Sequence, residues 1–248
     1  MPKFFVSKNQ IDGEYINIIG EDAHHISRSL RMAVGEKIIV SNSEGIDYEC
    51  VLHQFNPTSV IAQIVGEKKA DSEMPVRVHL YTALPKGEKL DFIIQKSVEC
   101  GVYDITPFES ERCVVKVKAD AEDRKTERRK KIALEAAKQC GRSIIPEVYP
   151  TVSFKEMIAG ASSSQLVLFC YEGEGTKPLG LVCNQARAEK NITDVSIIIG
   201  SEGGFSVAEA DICKEAGFSM VGLGKRILRA ETAAIMALSC LVYEFELT

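Results

Sequence analysis

The chain has 248 residues, 45% hydrophobic and 26% charged, enough to bury a sizeable core and to hold one large and one small domain. No charged-then-apolar leader opens it and no apolar run reaches bilayer length, so the expectation is a cytoplasmic protein with no membrane partner. The formal charge of -5 argues weakly against nucleic acid only until it is resolved along the chain. From Arg112 to Arg142 there are eleven Lys or Arg against five Asp or Glu, which leaves about -11 on the remainder. That basic stretch reads either as a phosphate-facing surface or as a solvated helix face with pairs such as Glu127 and Lys131 at i, i+4. The eight cysteines are scattered without a C-x-x-C pair, so they read as reduced, mostly buried thiols, and no His or Cys cluster suggests a metal.

Residues 1 to about 70 read as short strands bounded by turn signals: Phe4 to Val6, Tyr15 to Ile19, Lys37 to Ser41, Asp47 to Gln54 and Ser59 to Val65. A short helix near Asp22 to Leu30 interrupts them, placing Arg28 and Arg31 three apart on one face beside His24 and His25. The arginines and histidines suit an RNA-facing patch. The two histidines suit equally well a turn with one ring packed and one exposed. The polar run Gly66 to Glu73 reads as a linker, giving domains of 1–72 and 73–248.

Beyond the linker the pattern alternates strand and helix, which implies parallel pairing. Val76 to Thr82 and Val102 to Thr106 read as strands, Leu90 to Cys100 as a helix stopped by Gly101, and Asp120 to Cys140 as a long helix stopped by Gly141. Ser153 with Glu156 and Ser206 with Glu209 match the S-x-x-E capping box and predict helix starts after both serines. Gln165 to Cys170, Val195 to Ile199 and Ser219 to Gly222 complete a sheet of about five strands. The last helix starts near Ala230 and sets Ile235, Leu238, Val242 and Phe245 along one stripe, suited to a core or to a dimer seam.

The run Ile197-Ile198-Ile199 reads as a strand covered on both faces, whose C-terminal end opens into a ligand crevice. It breaks into Gly200-Ser201-Glu202-Gly203-Gly204-Phe205, and a second glycine-bearing loop runs from Leu223 to Arg229. Glycines there let the backbone approach a bound molecule. No G-x-G-x-x-G, G-x-x-x-x-G-K-[ST] or G-x-S-x-G is present, which argues against dinucleotide, P-loop and serine-nucleophile chemistry. The residues alone reach an α/β ligand-binding domain with an appended β-barrel and a basic face.

Taken together, Met1-Pro2-Lys3-Phe4-Phe5-Val6, His24-His25-Ile26 with Leu30-Arg31, Pro85-Lys86-Gly87, Thr106-Pro107, Gln139-Cys140-Gly141-Arg142 and the two glycine loops closely resemble the ribosomal-RNA uridine N3-methyltransferases of the SPOUT superfamily. Ser201 departs from that pattern, standing where the family usually has proline. The resemblance implies an α/β fold with a SPOUT-type knotted parallel-sheet methyltransferase domain and a small N-terminal PUA-like β-barrel. It implies S-adenosyl-L-methionine held by the loop Tyr171, Glu172, Gly173, by Gly200, Gly203 and Gly204, and by Leu223, Gly224, Ile227, Leu228 and Thr232. It further implies a homodimer acting on small-subunit ribosomal RNA, within the assembled subunit, through His24, His25, Arg28, Arg31, Lys86, Arg124, Arg128 and Arg142.

Methylation at N3 needs charge on the uracil carbonyls stabilised, so Arg229 beside the cofactor loop is the first candidate for catalysis, with Glu202 and Glu231 as alternative bases. Two other functions remain open on sequence. One is a SPOUT enzyme acting on another RNA or at a ribose hydroxyl; the other is a non-catalytic RNA-binding assembly factor.

Overall fold

A computed structural model gives the architecture and describes residues 1–117, 119–188 and 191–248. The chain divides into two compact units, Met1–Glu73 with Ala137–Ile145, and Met74–Ala136 with Pro146–Thr248. In the first, strands β1 (Lys3–Phe5), β2 (Ile11–Asp12), β3 (Tyr15–Ile19), β4 (Lys37–Ser41), β5 (Ile46–Phe55) and β6 (Ser59–Lys69) form one sheet in the order β1-β4-β5-β6-β3-β2. All its pairs are antiparallel except β1 with β4. Alternation builds the core. Ile16 and Ile18 of β3, Ile38 and Val40 of β4, Cys50 and Leu52 of β5, and Val60 and Ala62 of β6 are buried with Phe4 and Ile26, each large side chain contributing about 1.5–3 kcal/mol by leaving water.

Two expectations need correcting here. Gly66 to Lys69 is strand, because β5 is long enough to pair Ile46 with Lys69, so the linker contracts to the residues after it. The helix over Asp22 to Leu30 is a short α1 (Gly20–His24) running into a wide π turn, His25–Ser29. Leu30 N donates to His25 O and Met32 N to Ile26 O, and Arg31 takes a φ of 53°, so Arg28 and Arg31 do not continue one helical face.

In the second unit the elements follow as β7 (Arg77–Ala83), α2 (Lys89–Glu99), β8 (Asp104–Glu109), α3 (Ala119–Cys140), β9 (Glu147–Val148), β10 (Val152–Ser153) and α4 (Phe154–Ala161). They continue as β11 (Leu166–Cys170), β12 (Lys177–Pro178), α5 (Leu179–Ala188), β13 (Asp194–Ile199), α6 (Val207–Glu215), β14 (Ser219–Gly222) and α7 (Ala230–Phe245). Among the described residues the sheet runs β10-β8-β7-β13-β11-β14-β12, with β9 on β8, and every pair is parallel. Five strands are long and three have two residues, which explains the smaller number expected from sequence. Both capping boxes form, at Ser153 with Glu156 and at Ser206 with Glu209. The triple isoleucine is fully buried, and β13 lies between β7 and β11.

The stripe expected on α7 is displaced. Ala230, Ala234, Ala237, Leu238 and Leu241 are buried, whereas Ile235, Val242 and Phe245 are half-buried. Small alanines let α7 approach α2 and α5, so the closest face is the one that apolar bulk does not mark.

The return of Ala137–Ile145 to the first unit rests on polar contacts. Lys3 Nζ donates to Asp47 Oδ2 at 2.8 Å and to Ser143 Oγ at 2.7 Å, Ser143 Oγ donates to Asp47 at 2.9 Å, and Ser41 Oγ donates to Ser143 O at 2.7 Å. Lys138 adds an ion pair with Asp22 at 2.7 Å. Arg142 is 4% exposed and its guanidinium holds Glu73, with Nε 3.0 Å from Oε2. Glu73 also accepts from the N–H groups of Ser143 and Ile144. Arg142, expected to contact RNA, is thus itself buried and committed to the half-buried Glu73 carboxylate, which leaves it poorly placed to reach a phosphate.

Candidate functional site

Because β11, β13 and β14 are neighbours and parallel, the loops after their C-terminal ends converge. They enclose a cavity of about 670 Å³, within the usual range for small-molecule sites. Tyr171, Glu172, Gly200, Gly203, Gly204, Leu223, Gly224, Ile227 and Leu228, which the sequence assigned to the cofactor, line it, and so does Glu202. Thr232, Arg229 and Glu231 do not. Thr232 is exposed a turn into α7, and Arg229 occupies the N-cap of that helix with an exposed side chain that makes no cap bond. One carboxylate oxygen of Glu231 is buried without a hydrogen-bond partner.

The loop after β13 is closed by its own backbone. Gly204 N donates to Ser201 O at 2.9 Å, and Gly204 has a φ of 64°. The turn therefore forms with serine in place of proline, and the buried Ser201 hydroxyl makes no hydrogen bond. Phe205 anchors the far end, its ring centroid 4.3 Å from that of Phe169 and stacked 6.3 Å from that of Phe108. A Cβ at Gly200 would come within 3.0 Å of the Phe205 ring, and one at Gly203 within 3.0 Å of Arg112 Cβ. A side chain at either glycine would therefore be tight on protein packing alone, the Phe205 ring or Arg112 having to give by a few tenths of an ångström. Gly224 differs, with open space around it and a φ of 106° that side-chain-bearing residues rarely adopt.

Glu202, an alternative base on the sequence, has one carboxylate oxygen engaged. Its Oε1 accepts from Lys89 Nζ at 2.6 Å and from Lys86 N at 3.1 Å. Burial pushes its carboxyl up, but the Lys89 ammonium and the N–H bonds outweigh burial and hold it below the ordinary 4.5. Lys225 and Arg226 line the cavity and are exposed.

Arg112, together with Cys170, Thr176, Ile199, Ala230 and Ala233, lines the cavity without having been singled out by the sequence. Its only sequence signal was membership of the basic stretch. Of the other residues expected to meet RNA, His24, His25, Arg28, Arg31, Lys86 and Arg124 are exposed, and His25 sets its ring edge against Phe4 at 6.1 Å. Arg128 is exposed but bridged to Asp91 at 2.7 Å.

Comparison with known proteins defines the class. Residues 72–242 match the RNA methyltransferase domain family and residues 18–65 match the RNA methyltransferase PUA domain. The chain belongs to this RNA methyltransferase family. Among individual relatives, the ribosomal RNA small subunit methyltransferase E of Bacillus subtilis is 33% identical over 255 residues, covering 100% of this chain and 98% of its own length. The crystal structure of a ribosomal RNA small subunit methyltransferase E from Neisseria gonorrhoeae, bound to S-adenosyl methionine, is 29% identical with a TM-score of 0.84, covering 98% of this chain and 97% of that one. A methyltransferase structure from Legionella pneumophila, in complex with the same cofactor, is 31% identical with a TM-score of 0.82 over 97% of this chain and 96% of that one.

Proposed function

We propose that this protein is an S-adenosylmethionine-dependent methyltransferase that modifies N3 of a uridine in small-subunit (16S) ribosomal RNA, working in the cytoplasm as a homodimer on the assembled subunit. The observation that carries the reading is the cavity built by the loops after three adjacent parallel strands. The trefoil knot implied by the resemblance belongs to the reading, its support being that all three loops line one cavity. The residues fit the cofactor: glycine backbone offers N–H and C=O groups, Leu223, Ile227 and Leu228 offer apolar cover, and Tyr171 offers a ring. Ile227 is 86% exposed at the cavity, so a ligand seated there could cover it.

When bound, the cofactor supplies an electrophilic methyl group on a sulfonium. The chain's own task is to align the acceptor base, exclude water and stabilise charge developing on the uracil carbonyls. The exposed Arg28, Arg31 and Arg124 suit phosphate contact. The test is calorimetry with S-adenosylmethionine, followed by methyl transfer to purified small subunits and to naked RNA with nucleoside mass spectrometry. N3-methyluridine formed on subunits supports the reading. A ribose-methylated product or transfer to another RNA replaces it with a different methyltransferase activity, and cofactor binding without transfer to any RNA replaces it with an assembly factor.

A further inference from the structure

We infer that Arg112, rather than Arg229, contacts the acceptor base, donating from its guanidinium to a uracil carbonyl oxygen as N3 loses its proton. The inference rests on the proposed function. Three observations carry it. Arg112 lines the cavity and Arg229 does not. Arg112 is also held in place: its Nη1 donates to Gly203 O at 3.1 Å, and Glu111 N donates to the buried Glu209 carboxylate at 2.8 Å. Cys113 N donates to Ser110 O at 3.1 Å, closing the turn that bears the arginine. Finally, no carboxylate pairs with Arg112 among the described residues, in contrast to Lys89 with Glu202 and Arg128 with Asp91.

A guanidinium carries five donors in a planar fork, so the bond to Gly203 leaves others to meet a ligand. A donor fixed in advance costs little reorganisation as charge develops, which is what stabilises an anionic transition state. Arg226 also lines the cavity and is exposed as Arg112 is, but it stands on the loop that bears Gly224 and, among the described residues, makes no hydrogen bond like the one from Arg112 to Gly203. The transfer balances simply. The N3–H bond breaks and its proton passes to water, a bond forms from N3 to the methyl carbon, and the carbon–sulfur bond breaks with its electron pair returning to sulfur. The Arg112 guanidinium takes no part in the proton transfer; its positive charge stabilises the uracil anion and makes N3 easier to deprotonate.

The experiment compares wild type with Arg112→Gln and Arg112→Lys, using small subunits that lack the modification, across a range of about pH 6.5 to 9. Cofactor affinity is measured separately by calorimetry. Turnover is expected to fall roughly 10²-fold or more in Arg112→Gln, with cofactor affinity within about twofold of wild type. The climb of rate with pH should move to higher pH in Arg112→Gln, and Arg112→Lys should recover only part of the turnover. Normal turnover overturns the inference. So does a defect confined to cofactor affinity or to folding, which would make Arg112 a fastener for Gly203, and so does a raised KM with an unmoved pH profile, which would make it a phosphate contact. Wild type that forms no N3-methyluridine overturns the proposed function and this inference with it.

Discussion

Glu202 and Lys89 form an ion pair of 2.6 Å that fastens the loop after β13 to the start of α2. The pair is about 30% exposed on either side, so its direct contribution to stability is at most about 1 kcal/mol. Its greater effect is on the loop, since Glu202 also accepts from Lys86 N. Lys89→Met, which keeps the aliphatic stem, is expected to lower cofactor affinity by roughly tenfold or less while leaving the melting temperature within a few degrees. Acid sharpens the contrast. The Glu202 carboxyl sits lower in the folded chain than the ordinary 4.5, so its contribution is complete above that value and disappears as pH falls through the folded pKa. Wild type should lose cofactor affinity in that acid range and Lys89→Met should lose less; parallel titrations of the two would refute the link.

Gly203 and Gly224 are required for different reasons, and substitution separates them. Gly203→Val would push a branched side chain onto Arg112, whose Cβ would lie 3.0 Å from the first added carbon. Gly224→Ala meets no neighbour but forces alanine into a φ of 106°, a strain of about 1–3 kcal/mol. Both should weaken S-adenosylmethionine binding. Only Gly203→Val should also displace Arg112, so its residual turnover at saturating cofactor should be the lower of the two. Equal turnover at saturation would show that Gly203 does not position Arg112.

Arg142 and Arg28 make the complementary test on the basic residues. Arg142→Met removes the guanidinium from the half-buried Glu73 carboxylate, which keeps the Ser143 and Ile144 N–H groups, with an expected loss of about 1–3 kcal/mol in urea unfolding. Arg28→Ala, Arg31→Ala and Arg124→Ala remove exposed charges, so each should change stability by no more than about 0.5 kcal/mol. Each that meets a phosphate should reduce the salt slope of RNA binding by roughly 0.7 to 0.9. A stable Arg142→Met variant with a reduced salt slope would return Arg142 to the RNA contacts.

What the sequence made legible was local. Ser153 with Glu156 and Ser206 with Glu209 announce helix starts because a capping box closes within four residues. Ile197 to Ile199 announce a buried strand because no polar residue interrupts them. What escaped depends on contacts distant along the chain: Ser143 with Asp47, Arg142 with Glu73, and Arg112 with Gly203. No spacing rule brings an arginine to a glycine carbonyl 91 residues away. The α7 face escaped for another reason, since its buried surface is mostly alanine and the bulkier stripe is only half-covered.

A last prediction concerns the edge of the second sheet where β7, β8 and β13 begin, remote in sequence from the cavity loops. His79 Nδ1 lies 2.8 Å from Asp104 Oδ2 and its Nε2 lies 3.3 Å from Asp194 Oδ1. Arg77 holds both oxygens of Asp194 at 2.8 and 2.9 Å. The hydrogen bond to Asp104 pushes the imidazole above its ordinary 6.5, against burial, which works the other way. A raised folded pKa means the folded state holds the proton more tightly than the unfolded chain. The stabilisation is therefore complete below pH 6.5 and is lost as pH rises through the folded value. Replacing His79 by glutamine removes the titration while keeping a polar side chain. In urea unfolding the variant should be less stable than wild type by roughly 1.5 kcal/mol near pH 6, the scale of a hydrogen bond to a charged group. The gap should narrow as pH rises through the raised folded pKa, where the wild-type imidazole loses its charge. A gap that is constant or widens with pH would mean that His79 is neutral in the folded protein and that the two aspartates are held by Arg77 and their other partners alone.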